Sequence, residues 1–224
     1  MSAFTFTAPI VTPEDEAVER QALTVDERQR IHDDVYGKES LLRETDDMLE
    51  NGTNLIQEAL LEIPDADKQA YLEALERSPQ LVKRETDPVA FLRCEKYDAW
   101  AAAKHLVAYW EVRKKVFGNE RAFLPMTQTG AIAEDMEYLR KPLLTLLPDD
   151  EHGRPVIHCD RIRCVRSVVP RDSVVACFFY MMHVLCEREG TQQRGIVGIV
   201  NFRVSGWFFD ALIYSHRFSP LAFL

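Results

Sequence analysis

Residues Gly153 to Val204, GRPVIHCDRIRCVRSVVPRDSVVACFFYMMHVLCEREGTQQRGIVGIVNFRV, read as one strand, helix, strand unit, and this reading decides the fold. Pro155 to Ile162 alternates loosely after the turn pair Gly153-Arg154, and Gly195 to Val204 is an almost unbroken β-branched run, so both predict strands. Between them, Asp172 to Arg188 is too long and too continuously apolar for a strand. It opens after Pro170, stops near Gly190, and predicts a buried helix. Two strands joined by a helical crossover pair parallel with a right-handed connection, and a parallel strand is normally covered on both faces. The expected fold class is therefore α/β: a helical N-terminal module followed by a partial parallel sheet, helix-rich overall.

Upstream of this unit the periodicity is helical. Residues 1 to about 24 carry Thr, Pro and acids without a period and predict an unordered tail. From Val25 to Leu147 the apolar residues recur in three- and four-residue steps among acidic neighbours, which predicts an acidic helical module. Asn51-Gly52 predicts a loop, and Pro64, Ser78-Pro79 and Asp87-Pro88 predict boundaries between short helices. A long helix is expected from the N-cap Asp98 to Phe117, before Gly118, and another from about Ala131 to Leu147, before Pro148. Gly190 to Gly195 is expected to be a turn. Residues 148–224 then form the α/β segment.

Composition narrows the function. The chain has 224 residues, 46% of them hydrophobic, which suffices for a core, and a formal net charge of −9, which argues against a nucleic-acid partner. The five cysteines contain no CxxC pair and read as free thiols in a reducing compartment. The N-terminus lacks a basic region followed by an apolar core, and no window is long enough to span a membrane, so a cytoplasmic protein is expected.

Two stretches together resemble the CRAL-TRIO lipid-binding family, which includes phosphatidylinositol, tocopherol and retinaldehyde transfer proteins. In DPVAFLRCEKYDAWAAAKHLVAYWEVR, residues 87–113, the matching positions are Phe91, Leu92, Arg93, Tyr97, Asp98, Ala102, Leu106, Tyr109 and Arg113. These resemble the N-terminal helices of the family, at about residues 65–117. Gly153-Arg154-Pro155-Val156, the crossover helix and the strand that follows resemble the start of its lipid domain. Against the family pattern the lipid domain looks cut short at Leu224, which implies an exposed sheet edge and apolar face and hence instability, oligomerisation or a longer natural form.

The resemblance implies non-enzymatic binding or transfer of a hydrophobic ligand, a phospholipid, phosphoinositide or other small lipid, with transient contact at a membrane surface. On the crossover helix Val174, Cys177, Phe178, Met181 and Leu185 fall at helical spacing, and by analogy Cys177 and Met181 face the ligand; Val200 on the last strand and Trp207 and Phe208 beyond it complete the expected lining. Met and Cys suit an adaptable apolar wall. The alternative for each is ordinary core packing or, for the aromatic pair, a cluster closing a strand end. Arg93 and Arg113 are expected to pair with acids inside the helical module. No cofactor is expected. His152, His158, Cys159, Cys164, His183 and Cys186 show no metal-ligand spacing, and His158, Cys159 and Asp160 are strand neighbours that cannot converge on one proton. The runner-up function is a protein-interaction or regulatory module that has lost its cavity and holds a partner through the acidic helices.

Overall fold

In the computed structural model the structure describes residues 12–36, 44–160 and 169–201. The chain divides into two compact units, Met1–Ser40 and Leu41–Leu224.

The first unit holds helices α1 (Pro13–Ala22) and α2 (Val25–Tyr36). The expectation of an unordered segment through residue 24 does not hold for these residues. Both helices open on a reciprocal cap: the Asp15 amide donates to the Thr12 hydroxyl at 3.2 Å, and the Glu27 amide to the Thr24 hydroxyl at 3.2 Å. The acids answer by accepting from the backbone amides of Thr12 and Thr24 at 3.0 and 2.8 Å. Composition had hidden two T-x-x-(D/E) signals.

The second unit begins with α3 (Asp46–Glu62), capped by Thr45, followed by α4 (Gln69–Arg77), α5 (Pro79–Glu85) and α6 (Pro88–Cys94). Helix α3 runs through Asn51-Gly52, where a loop was expected. A side chain at Gly52 would overlap Leu92, which is 0% exposed, so the glycine marks close helix packing and not a turn. Helix α7 (Ala99–Arg121) is the central element. Its N-cap Asp98 accepts from the Ala101 amide at 2.9 Å. Gly118, at φ 72°, interrupts the helical backbone where the sequence predicts its end. Leu106, Tyr109, Trp110 and Phe117 on α7 are buried together with Ile56 and Leu60 of α3 and Phe91 and Leu92 of α6.

A helix over 131–147 does not form. A short helix α8 (Met136–Leu139) gives way to strand β1 (Leu144–Leu147). The three- and four-residue leucine spacing imitates a helix, but Pro142 lacks the N–H that an interior position must donate and disfavours helical geometry at Lys141. Strand β2 (Val156–Asp160) pairs with β1 antiparallel, with Leu147 opposite Val156. The hairpin between them turns on Asp150, which accepts from the amides of His152 and Arg154 at 3.0 and 2.8 Å and from the Arg154 guanidinium at 2.7 Å. Gly153 takes φ 72° there.

The crossover helix α9 (Arg171–Leu185), then α10 (Glu189–Arg194) and β3 (Val197–Asn201), complete the unit. Strands β2 and β3 are parallel, Val156 opposite Val197, as the sequence predicts. The sheet is mixed, in the order β1-β2-β3, so the architecture is a helix-rich α/β fold with one antiparallel strand that was not expected. Residues 190–195 are not a turn: α10 spans most of them and ends on Gly195 at φ 84°. Helix α9 adds Phe179, Met182 and Leu185 to the core that contains Trp110, so the helical segment and the strand, helix, strand segment share one interior.

Candidate functional site

The crossover helix α9 carries most of the residues expected to line a ligand, and its burial is uneven. At about 100° per residue, Val174, Phe178 and Met181 fall within a sector of roughly 60°. All three are half-buried, and Val175 and Val184 nearby are 39% and 37% exposed. An apolar line therefore runs along α9 without being fully packed.

Strand β3 is open as well. Ile199 and Val200 point to opposite faces of the sheet. They are 47% and 37% exposed, so among the described residues β3 is covered on neither face.

Two of the predicted lining residues do not belong to this open line. Cys177, 2% exposed, turns its thiol toward the Asp135 carbonyl at 3.7 Å, and Leu185, 4% exposed, is core. Trp207 and Phe208 lie outside the described residues.

Behind the apolar line sits a buried polar chain that links the helical module to α9. Arg113, 0% exposed, donates to the Glu85 carboxylate at 2.7 Å, to the Tyr109 hydroxyl at 2.8 Å and to the Leu124 carbonyl at 2.6 Å. Glu85 also accepts from the Met126 amide at 3.0 Å. The Tyr109 hydroxyl meets His183 Nδ1 of α9 at 3.1 Å. Each group titrates accordingly. Burial works to raise the Glu85 carboxyl, but the Arg113 charge and the Met126 N–H together hold it below its ordinary value. Burial pushes the Tyr109 hydroxyl up to about 12 and brings His183 down to about 4. The imidazole is thus neutral at pH 7, and the chain carries one internal ion pair, fully hydrogen-bonded at the carboxylate.

Arg93 forms a second clasp. Its guanidinium forks onto Glu44 at 2.7 and 2.6 Å and donates to the Gln192 side chain of α10 at 3.1 Å. The Tyr97 hydroxyl donates to the same Glu44 carboxylate at 2.9 Å. Lys96 and Tyr97 both take positive φ, 55° and 67°, in the turn between α6 and α7, and the Tyr97–Glu44 bond anchors that turn. The Arg93 hydrogen bond lowers the Glu44 carboxyl. Both arginines pair with acids, as expected; Arg93 also bonds directly to α10, and Arg113 connects to α9 through the Tyr109 hydroxyl. The sequence signal for the missing partner was His183, a polar residue inside an apolar helix, which requires a buried acceptor or donor.

The thiols of Cys94, Cys177 and Cys186 are not poised for chemistry. Burial pushes Cys94 and Cys177 up to about 12 and Cys186 well above its ordinary value, which keeps all three protonated. Cys94, Cys177 and Cys186 form no disulfide. Among the described residues no group of three or more His, Cys, Asp or Glu is placed to hold a metal ion, and no helix is long and apolar enough to cross a membrane.

Fold and site together define a helix-rich α/β protein whose crossover helix presents a partly open apolar line backed by a buried polar chain with one internal ion pair. No protein-family model, curated protein or solved structure matches the chain.

Proposed function

We propose that the chain binds or transfers one hydrophobic ligand, a phospholipid, phosphoinositide or other small lipid, as a CRAL-TRIO-type carrier. It does so without catalysing a reaction, in the cytoplasm and in transient contact with membranes. The observation that carries this reading is the half-open line Val174, Phe178 and Met181 on the helix that bridges two parallel strands. An acyl chain of about 16 methylenes opposes entry into water by ~13 kcal/mol, at ~0.8 kcal/mol per methylene, so a carrier needs an apolar surface that its own core has left unfilled. The half-buried side chains of α9 and the exposed ones of β3 are surface of that kind.

The residues that carry the resemblance also support the reading by their roles. Asp98 caps the central helix, Arg93 and Arg113 hold the helical segment to α10 and α9 through Gln192 and through Tyr109 and His183, and Tyr97 anchors a strained turn. All are framework positions, which leaves the ligand to the apolar residues of α9.

The test is extraction of the purified protein with organic solvent, followed by mass spectrometry. About one lipid per chain is expected, and a Met181→Asp variant that keeps its fold should lose it. A protein that yields no lipid, and takes none up from mixed vesicles, would overturn the proposal, as would turnover of an ester library.

A further inference from the structure

A cleft of about 280 Å³ opens between the C-terminal end of α3 and the first half of α7. Its apolar wall is Ile63, Val107, Ala108 and the indole of Trp100, and its rim carries the carboxylates of Glu62, Asp67 and Glu111. Trp100 is 42% exposed, large for the bulkiest side chain of the chain, and Leu61, beside Glu62 in sequence, is 83% exposed.

Three features of different origin favour a positive charge in this cleft. The negative end of the 17-residue helix α3 points at it, and the last turn of that helix holds no basic residue. Among the described residues Glu62, Asp67 and Glu111 take part in no ion pair, so three carboxylates face one ammonium, that of Lys104. The Trp100 ring offers its π face, and Lys104 Nζ already lies 5.3 Å from the ring centroid. Lys68 donates to the Leu60 carbonyl at 2.7 Å and pairs with Asp65 at 3.3 Å, so it answers part of that helix end from within the chain and leaves the carboxylates of Glu62, Asp67 and Glu111 and the Trp100 face to carry the attraction.

The carboxylates are not gathered as a metal site. A cleft with a greasy wall and an acidic rim fits a side chain with a long apolar stem and a charged head, and a planar guanidinium stacks on indole and forks onto carboxylates better than an ammonium does.

We propose that this cleft docks an arginine side chain from a basic segment of a partner protein, with Lys104 as the internal cation that the arginine displaces from Trp100. The proposal gives a place to the partner of the runner-up reading, a protein held through the acidic helices. The inference is independent of the hydrophobic-ligand reading, since it uses no residue of α9 or β3.

The experiment follows the indole N–H resonances of the full chain, 15N-labelled at tryptophan, during titration with an acetylated and amidated heptapeptide carrying three arginines at low salt. The Trp100 resonance, assigned by Trp100→Phe, is expected to move saturably while that of Trp110, 0% exposed, stays in place. Lys104→Ala should tighten binding, about three- to tenfold, because it removes the competing cation. Glu62→Gln with Glu111→Gln should weaken it about tenfold, and added salt should weaken the original protein in parallel. All three positions are exposed, so the fold tolerates the changes. A Trp100 resonance that does not respond would overturn the proposal, as would a response that survives the double glutamine variant or a Lys104→Ala variant that binds less tightly. A response to phosphatidylcholine vesicles without one to the peptide would also overturn it, assigning the cleft to a lipid headgroup.

Discussion

Mild acid should weaken this protein through one buried imidazole. His183 is 8% exposed, its Nδ1 faces the Tyr109 hydroxyl at 3.1 Å, and burial lowers it from 6.5 to about 4. In the unfolded chain the same group takes a proton near pH 6.5, so between these two values the unfolded state binds more protons than the folded state. Stability must therefore fall as pH falls through that window, and the contribution is intact above it. From pH 7 to pH 5.5 this single difference amounts to ~1.2 kcal/mol, and over the full window to ~3 kcal/mol. The upper part of the window is the diagnostic one. The lowered carboxylates Glu44, Glu73, Glu85 and Asp150 add their own loss only at more acid pH, as the unfolded carboxyls begin to protonate. Urea titrations at pH 7 and 5.5 on the original protein and on His183→Asn read the effect, since asparagine keeps a polar atom near the Tyr109 hydroxyl and does not titrate. The original protein should lose ~1 kcal/mol more between the two conditions than the variant does, whatever the variant's stability at pH 7. Equal losses in the two proteins would refute the burial of a neutral imidazole at this position.

Three further perturbations probe the scaffold. Glycine to alanine in an exposed helix normally stabilises by up to ~1 kcal/mol, but Gly52→Ala presses a methyl group into the buried Leu92 and should instead cost about 1–3 kcal/mol, read as a lower Tm. A raised Tm would show that α3 and α6 are not in close contact there. Arg113→Met alone leaves Glu85 buried without its 2.7 Å partner and should cost about 3–5 kcal/mol in denaturant titration, while Arg113→Met with Glu85→Leu should recover much of that loss. Failure of the second change to rescue the first would place the importance of Arg113 in its bonds to Tyr109 and Leu124 instead. Asp98→Ala removes the hydroxyl-free cap of α7, whose carboxylate accepts at 2.9 Å, and should cost about 1 kcal/mol, with faster amide exchange confined to the first turn of that helix.

The sequence announced what is local and periodic. The caps at Asp87 and Asp98, the end of α3 before Pro64 and the break at Gly118 follow from residues near one another in the chain. It misled where two periodicities overlap: the leucines from 139 to 147 suit a helix by spacing, and only Pro142 tells otherwise. Asn51-Gly52 carries a turn signal that tertiary packing overrides, because the space beside Gly52 is taken by Leu92. Side-chain partners distant in sequence were not legible, whereas the strand pairing was, because the helix between the two strands implies it. Glu44 meets Arg93 across 49 residues and Tyr109 meets His183 across 74, and no local pattern records such pairings. For the candidate site, helical spacing alone grouped Cys177 and Leu185 with Val174, Phe178 and Met181. Separating the first two as core required the position of the Asp135 carbonyl and the packing around α9.

The central claim is that the half-open apolar line on α9 holds a lipid tail, and covalent mapping tests it most directly. The protein would be loaded with a fatty-acid analogue bearing a photoactivatable diazirine near its methyl end, irradiated, digested and sequenced by mass spectrometry. Adducts concentrated on Val174, Phe178 and Met181, and competed away by unlabelled phospholipid, are the expected result. Labelling spread evenly over exposed residues such as Leu55 and Leu61, with α9 unmodified, would contradict the account.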